Sequence, residues 1–207
     1  MDFTTIPFQQ GTVRGFLHKP EGDPTSGFVL THGAGGNCSA PLLVAVANAL
    51  AATGATVLRC DLPFRQRRAF GPPTPSMSQQ DRAGLSDAVA AMRAMVPGKI
   101  TLGGHSYGGR QSTLLAAEQP GICDALLLFS YPLHPPSKPL QARTAHFPRL
   151  ETPALFIHGT KDPFGTIEEM REALRLIPAH TQLVILEGAG HDLNRGKFDI
   201  ASSGIVV

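Results

Sequence analysis

Short apolar segments alternate with longer helical segments along most of this chain, and this alternation limits the folds available to it. Six segments of seven or eight residues are rich in Val, Leu, Ile, Phe or small residues: 27–33, 55–62, 99–105, 124–130, 153–159 and 181–188. Continuous apolar strands joined by helices are typical of a mostly parallel sheet with helices on both faces. We therefore expect an α/β fold built around one such sheet.

Signals for turns and helix ends lie between these segments. Residues 3–8 and 12–17 are separated by Gln-Gln-Gly and predict an antiparallel N-terminal hairpin. Residues 107–118 predict a helix closed by Pro-Gly. Three further helices have recognisable starts: Ser39 as N-cap with Pro41 before a helix to about Gly54, Ser78 with Asp81 before one to about Met95, and Thr166 with Glu169 before another.

Length and composition suit one folded domain. The chain has 207 residues, 42% of them hydrophobic and 16% charged, so we expect a single α/β domain over 1–207. A net charge of +2 is too weak to indicate a nucleic-acid partner. The longest apolar stretch, residues 40–52, is too short to span a membrane and predicts a buried helix instead.

The two ends of the chain and its cysteines bear on compartment and packing. The N-terminus lacks the apolar run of a signal peptide, and Cys38, Cys60 and Cys123 are too far apart for metal or redox spacing. We therefore expect unpaired thiols in a cytoplasmic protein. The short stretch after residue 191 predicts a shortened or missing closing helix.

A nucleophile motif lies between a predicted strand and a predicted helix. Residues 104–108 read Gly-His-Ser-Tyr-Gly and fit G-x-S-x-G, in which the serine occupies a tight strand-to-helix turn. The flanking glycines allow neighbouring elements to approach closely. The pentapeptide alone could arise by chance, but its position between a strand and a helix predicts that Ser106 is a nucleophile.

Such a serine needs a base, and the base needs an orienting acid. In this arrangement the chain order is Ser, then Asp or Glu, then His, on loops after later strands. Asp162 and His191 follow strands 153–159 and 181–188 and fit that order. The alternative readings are a turn-forming Asp162 and an ordinary loop histidine. Asp192 and Glu187 compete for the acid but lie very close to His191 in sequence.

The third requirement of acyl transfer is a pair of backbone donors for the oxyanion. We expect one donor to be the amide of Tyr107, at the positive end of a helix dipole. The other is expected from the glycine-rich turn 32–36, with Ala34 favoured and Gly35 next. An ordinary glycine-rich turn would explain the glycines but not their position at the end of a strand.

The motifs THGAGG, GHSYGGR, GTKDPFG and GAGHDL occur in an order that resembles the α/β-hydrolase superfamily. YPLHPP and the segment 143–153 are similar to its small, lidless branch related to dienelactone hydrolase, which includes the testis-expressed and KANSL-type hydrolase-like proteins. The resemblance implies a Ser106, Asp162, His191 triad and no large cap domain. His105 and Tyr107 depart from the Lys and Met common in that branch, and dienelactone hydrolases proper carry a cysteine nucleophile.

Several other polar residues have two interpretations. His134 could line the substrate pocket or simply pack in a proline-rich loop. Arg65, Arg67 and Arg68 could attract an anionic acyl group or form a solvated basic loop. For Arg110 we expect a structural ion pair. His32, His105, His158 and His191 all lie at strand ends but lack metal-ligand spacing, so we expect no metal and no other cofactor.

The leading hypothesis from these patterns is a serine hydrolase, an esterase of a small carboxylic ester or related acyl compound. The alternative is a catalytically silent hydrolase fold kept as an interaction or scaffold module. A lipase is a weaker third option because no long amphipathic lid is evident. The sequence does not indicate an acyl-chain length, a leaving group or an oligomeric state.

Overall fold

The computed structural model describes residues 1–193 of the chain. Eight strands form one sheet within this part: β1 (Phe3–Gln10), β2 (Val13–Pro20), β3 (Ser26–Thr31), β4 (Thr56–Cys60), β5 (Lys99–His105), β6 (Ala125–Phe129), β7 (Ala154–Gly159) and β8 (Thr181–Leu186). Five α-helices connect them: α1 (Pro41–Ala52), α2 (Pro63–Arg67), α3 (Ser78–Met95), α4 (Tyr107–Glu118) and α5 (Ile167–Leu174).

The sheet is mostly parallel, with its antiparallel part at the N-terminal edge. The strand order is β1-β2-β4-β3-β5-β6-β7-β8. Strands β1 and β2 form the predicted hairpin, and β2 also pairs antiparallel with β4. All other neighbouring strands are parallel. The α/β fold class expected from the alternating pattern is thereby confirmed.

Helices cover both faces of the sheet and bury its apolar side chains. One hydrophobic cluster joins the sheet to α3, α4 and α5, and a second joins the other face to α1. Residues such as Val29, Leu58 and Leu128 are completely buried between the layers. This two-sided burial explains why the strands are apolar along their length rather than at alternate positions.

The helix predicted over residues 40–52 is indeed buried, and its inner residues Leu43, Val46 and Ala47 are inaccessible. None of the helices in residues 1–193 combines the length and hydrophobicity needed to cross a lipid bilayer. The three cysteines are all buried and unpaired, as expected.

Two of the three predicted helix starts are wrong. Helix α1 has Ala40, not Ser39, at its N-cap and no side-chain cap, because the turn before it is closed by Asn37 Oδ1 accepting from the Ser39 amide at 2.8 Å. Helix α3 has Met77 at its N-cap and follows a short 3₁₀ turn, so Ser78 and Asp81 form no capping box. The capping box of Thr166 and Glu169 at α5 is confirmed.

Residues 194–207 lie outside the described part of the chain, and so does the expectation about the closing helix. Within residues 1–193 no inserted cap domain separates the strands. The longest connection without an α-helix joins β6 to β7, and it holds the proline-rich stretch expected there. This connection borders the site described next.

Candidate active site

The carboxyl ends of four parallel strands bring the predicted site residues together. Thr31 at the end of β3 pairs with Gly104 of β5, and Gly159 at the end of β7 pairs with Leu186 of β8. The loops that follow these strands therefore leave the sheet at the same edge. Ligands in open α/β sheets bind at this edge, beyond the carboxyl ends of the strands.

Ser106 occupies a strained turn between β5 and α4. Its φ of 51° and ψ of −116° place it in a region that L-residues rarely adopt. The two flanking glycines have no room for a side chain. A Cβ on Gly104 would lie 2.2 Å from the Thr31 carbonyl oxygen, and one on Gly108 would lie 2.6 Å from the His32 carbonyl oxygen. The close packing of this turn against β3 thus explains why both glycine positions of the G-x-S-x-G motif are occupied by glycine.

The side chains of Ser106, His191 and Asp162 are hydrogen-bonded in series. The distance from His191 Nε2 to Ser106 Oγ is 2.8 Å, and the distances from His191 Nδ1 to the two Asp162 carboxylate oxygens are 3.0 and 2.8 Å. A carboxylate accepts, so Nδ1 carries the proton and the neutral ring presents Nε2 as an acceptor to the serine hydroxyl. This is the geometry of a nucleophile, a base and an orienting acid.

Asp162 is held as an anion in a buried position. Its side chain is fully buried, and Oδ1 also accepts the Phe164 backbone N–H at 2.9 Å. Burial alone would raise the pKa of this carboxyl, but the hydrogen bonds that it accepts from His191 and from the Phe164 amide outweigh burial and hold the pKa below its usual value. The competing acids make no such contact: Glu187 accepts from Thr160, and Asp192 is exposed.

Two aromatic rings hold the His191 imidazole in place. The Phe164 ring packs against it with the two ring centroids 4.2 Å apart. The His105 ring is also a neighbour, with its centroid 5.0 Å from that of His191. The His105 Nε2–H donates to the His191 carbonyl oxygen at 2.8 Å. Burial lowers the pKa of the His105 imidazole, which favours the neutral ring. His105 therefore ties the histidine loop to the end of β5.

Two of the three residues expected to supply oxyanion donors border the same cavity as Ser106. Tyr107 is the first residue of α4, where backbone N–H groups have no acceptor within the helix. The Ala34 N–H has no hydrogen-bond acceptor in residues 1–193. Ala34 and Tyr107 both border the cavity beside Ser106, whereas Gly35 does not.

A cavity of about 470 Å³ adjoins the nucleophile. Its walls are the proline-rich segment 72–75, the start of α4 and the connection between β6 and β7. The lining also includes Ala34, Ser106, Tyr107, Arg110, Arg143 and Phe164. The space is large enough for a small molecule.

The expected pocket residues His134, Arg65 and Arg68 do not border this cavity. His134 lies 3.3 Å from Glu169 in a separate groove of about 540 Å³ beside α5. Arg65 is buried, and its guanidinium donates to four backbone carbonyls, including that of Ala34 at 2.7 Å. Arg68 is exposed and bonds the Pro72 carbonyl. A buried Arg65 whose Nη1 and Nη2 both donate to carbonyls is neither a solvated basic residue nor an anion ligand.

Two cavity residues were not anticipated in that place. Arg110 was expected in an ion pair, yet it makes none with any residue in 1–193 and instead borders the cavity. The position of Arg110, four residues after Ser106, could have predicted its place beside the nucleophile, because residues four apart share a helix face. Arg143 lies in an irregular connection that no local pattern relates to Ser106.

Comparisons with known proteins identify the family of this chain. The family model described as "Alpha/beta hydrolase domain" matches residues 24–203. A curated relative from Salmonella typhimurium, named "Putative carboxymethylenebutenolidase", is 31% identical over 104 residues, which cover 46% of this chain and 37% of the relative. The chain thus spans little more than a third of the length of that relative.

Solved structures share the whole fold at low sequence identity. A dienelactone hydrolase from Anabaena variabilis has a TM-score of 0.74 and 22% identity, with 98% of this chain and 93% of that chain covered. Est1E from Butyrivibrio proteoclasticus with ferulic acid bound has a TM-score of 0.71 and 19% identity, with 92% of each chain covered. This likeness shows the fold. The family match confirms the superfamily resemblance drawn from the motifs: the chain belongs to the α/β-hydrolase family.

Proposed function

We propose that this protein is a serine hydrolase that cleaves a small carboxylic ester or related acyl compound through an acyl-enzyme intermediate. The observation that carries the proposal is the unbroken series of hydrogen bonds from Ser106 Oγ through the His191 ring to Asp162. Ser106, at one end of this series, borders a cavity. The strained backbone of Ser106 supports it, since such strain is retained mainly at functional positions.

In the first half of the reaction Ser106 Oγ attacks the acyl carbon while His191 Nε2 takes the hydroxyl proton. The new oxyanion receives hydrogen bonds from the Tyr107 amide and from Ala34, with Gly35 as the next candidate. Asp162 stabilises the imidazolium that forms. Collapse of the tetrahedral intermediate breaks the bond to the leaving group, and His191 returns the proton to the departing alcohol.

In the second half a water molecule attacks the acyl-serine. His191 Nε2 removes a proton from that water, and collapse of the second tetrahedral intermediate releases the carboxylic acid. The proton then returns to Ser106 Oγ, so the enzyme is regenerated with one ester bond hydrolysed. These steps need no metal or other cofactor, and the substrate is the partner we propose for the site.

Three further proposals concern the whole chain. A single sheet joins all strands of residues 1–193, which supports one domain. The intact hydrogen-bonded series argues against a scaffold module that has lost its chemistry, because a silent site has no need of an oriented base. We also propose a cytoplasmic location on the strength of the unpaired buried cysteines.

A fluorophosphonate probe tests the nucleophile. We expect the probe to label the wild-type protein and not Ser106→Ala, with Ser112→Ala as the matched control because that buried serine bonds the Gly108 carbonyl away from His191. A panel of p-nitrophenyl esters should be hydrolysed only by proteins that label. Unchanged labelling of Ser106→Ala would refute the assignment of the nucleophile.

A further inference from the structure

A buried carboxylate lies next to the nucleophile turn but outside the cavity. Asp81, in the first turn of α3, is inaccessible to solvent and does not border the cavity beside Ser106. Among residues 1–193 no basic side chain lies within ion-pair distance of it. Burying a carboxylate costs free energy unless the group is paired or hydrogen-bonded. The hydrogen-bond partners of Asp81 therefore indicate its role.

Asp81 accepts two hydrogen bonds, and each comes from a segment close to the proposed oxyanion site. Its Oδ2 accepts the Tyr107 hydroxyl at 2.7 Å, and its Oδ1 accepts the Phe64 backbone N–H at 3.0 Å. Tyr107 directly follows Ser106 and begins α4, whereas Phe64 lies in α2. One carboxylate thereby joins α2, α3 and α4 beside the nucleophile.

The first hydrogen bond holds the side chain of Tyr107, whose amide is an expected oxyanion donor. Burial, and then the Asp81 carboxylate, raises the pKa of the Tyr107 hydroxyl, so this group keeps its proton and donates. The Phe64 ring meets the Tyr107 ring edge-on, with the two centroids 5.7 Å apart. A side chain held at both its ring and its hydroxyl limits how far its own backbone amide can turn.

The second hydrogen bond reaches the other expected donor through α2. Arg65 directly follows Phe64, and its Nη2 donates to the Ala34 carbonyl oxygen at 2.7 Å. The Phe64 ring also packs against the His32 ring at the start of the same glycine-rich turn, with centroids 5.6 Å apart. The first N–H groups of a helix have no acceptor within it. Asp81 supplies one for Phe64 and so fixes the start of α2.

Other polar contacts anchor α3 from its surface. Arg82 Nε donates to Glu118 Oε2 at 2.7 Å, and Asp87 Oδ2 accepts the Thr12 hydroxyl at 2.6 Å. These exposed contacts end at the last residue of α4 and at the N-terminal hairpin. The contacts of Asp81 differ, because one ends on the residue after the nucleophile and the other beside the arginine that bonds the glycine-rich turn.

We propose that Asp81 is a positioning residue of the oxyanion site, which holds the Tyr107 amide through the Tyr107 hydroxyl and the Ala34 amide through α2. It touches neither the substrate nor the reacting atoms. The inference rests on the proposed serine hydrolase for its effect on rate, because acylation and deacylation both pass through an oxyanion. The effect of Asp81 on the position of the two amides does not depend on turnover.

Three substitutions separate this role from a merely structural one. Asp81→Ala removes both acceptors, whereas Tyr107→Phe deletes one hydroxyl and keeps the test decisive should Asp81→Ala not fold. We expect kcat for p-nitrophenyl acetate to fall about a hundredfold in Asp81→Ala and about tenfold in Tyr107→Phe. KM should change little, since both chemical steps slow together. Asp81→Asn should recover most of the loss, because its amide oxygen can accept from Phe64 and its N–H can donate to the Tyr107 oxygen.

A double variant and a matched control complete the kinetic test. Adding Tyr107→Phe to Asp81→Ala should lower kcat by less than about twofold, because the hydroxyl acts only through Asp81. The control is Thr113→Val, because Thr113 is inaccessible, lies on α4, bonds His146 and does not border the cavity. It should keep the wild-type kcat. Ser106-dependent hydrolysis with a wild-type kcat in Tyr107→Phe or in folded Asp81→Ala, or with an equal fall in Thr113→Val, overturns the positioning role and leaves the proposed hydrolase standing.

Backbone amide NMR tests the positioning without turnover. Nitrogen–proton correlation spectra of the wild type are compared with those of the variants. We expect the amide resonances of Tyr107 and Ala34 to shift in Asp81→Ala and to keep their positions in Thr113→Val. In Tyr107→Phe the Gly108 amide should shift and the Ala34 amide should not, because only one hydrogen bond is lost. Unchanged Tyr107 and Ala34 resonances in Asp81→Ala, or an unchanged Gly108 resonance in Tyr107→Phe, overturn the proposal whether or not esters are hydrolysed.

Discussion

Individual side chains in this protein owe their chemistry to one or two contacts. His191 presents an unprotonated Nε2 to Ser106 only because its Nδ1–H donates a hydrogen bond to Asp162. Phe164 and His105 prevent the ring from turning away. In the proposed mechanism the acid therefore acts through the tautomer and orientation of the base rather than by taking a proton itself.

Asp162→Asn tests this dependence. The amide favours the wrong tautomer of His191, so kcat for p-nitrophenyl acetate should fall about a thousandfold or more with little change in the fold. Asp192→Asn is the matched control, because this exposed acid adjoins His191 in sequence without contacting its ring. Steady-state kinetics check both variants. An Asp162→Asn enzyme that retains a tenth of the wild-type kcat contradicts the role given to Asp162.

The sequence predicted the residues of the hydrogen-bonded series because each follows a strand by a few positions. Ser106, Asp162 and His191 are placed by local strand ends, and parallel strands all end at one edge of the sheet. Arg65 could not be placed in the same way. Its acceptors are carbonyls of two loops, one of them thirty-one residues away, and their approach depends on tertiary packing.

Loops around the site are joined by buried polar contacts rather than by secondary structure. Arg65, in the short helix α2, donates to the Ala34 carbonyl at 2.7 Å and to the carbonyls of Arg68, Ala69 and Gly71. It thereby connects the turn after β3 to the segment that leads into the cavity wall. Its guanidinium also packs over the Phe64 ring at 4.9 Å.

Arg65→Met should displace the Ala34 turn and lower kcat about ten- to hundredfold, because small errors in donor placement are costly. KM should change less, since Arg65 does not border the cavity. Arg65→Lys should not restore kcat, as one ammonium cannot reach four acceptors. Assays well below the melting temperature exclude simple unfolding, and the exposed neighbour Arg67→Met is the control. A kcat at the wild-type level in Arg65→Met contradicts this role.

Helix starts show which local signals can be trusted in this chain. The capping box of α5 was predictable because Thr166 and Glu169 bond each other's backbone within one turn. The similar pattern at Ser78 and Asp81 failed because Asp81 accepts the Phe64 amide and the Tyr107 hydroxyl instead. The Asp81 carboxylate is hydrogen-bonded to residues that are distant in the sequence, and sequence spacing alone does not reveal such partners.

The molecule as a whole was predictable in its layers and not in its strand order. Apolar runs and helix-length spacers predicted a covered, mostly parallel sheet. The placement of β4 between β2 and β3, and the meeting of Arg110 with Arg143, depend on contacts between distant segments. The segment after β6 illustrates this: His134 was the candidate there, but Arg143 is the residue that reaches the cavity.

Buried neutral histidines make the stability of the fold dependent on pH. Burial, with a charged arginine nearby, lowers the pKa of His18 and of His146 from 6.5 to about 4. Between these values the unfolded chain binds protons that the folded chain does not. The free energy of unfolding should therefore be greatest above pH 6.5 and fall as the pH approaches 4.

Urea unfolding at about pH 7 and about pH 4.5 measures this effect, with the midpoint lower at the acid pH. His146→Gln should reduce the difference between the two midpoints, because its side chain does not titrate. His180→Gln is the control, since His180 is exposed and lies outside the core. Equal midpoints at both pH values would contradict the assignment of neutral buried histidines.

The proposed function depends on a covalent acyl-enzyme at Ser106, and trapping this intermediate is the most direct test. The protein is mixed with p-nitrophenyl acetate, quenched in acid during the first turnover, and digested for peptide mass spectrometry. We expect a burst of p-nitrophenol and one acetyl group per chain on the Ser106 side chain, both lost in His191→Ala. Release of p-nitrophenol with Ser106 unmodified, or with the acetyl group on another residue, would contradict the proposed function.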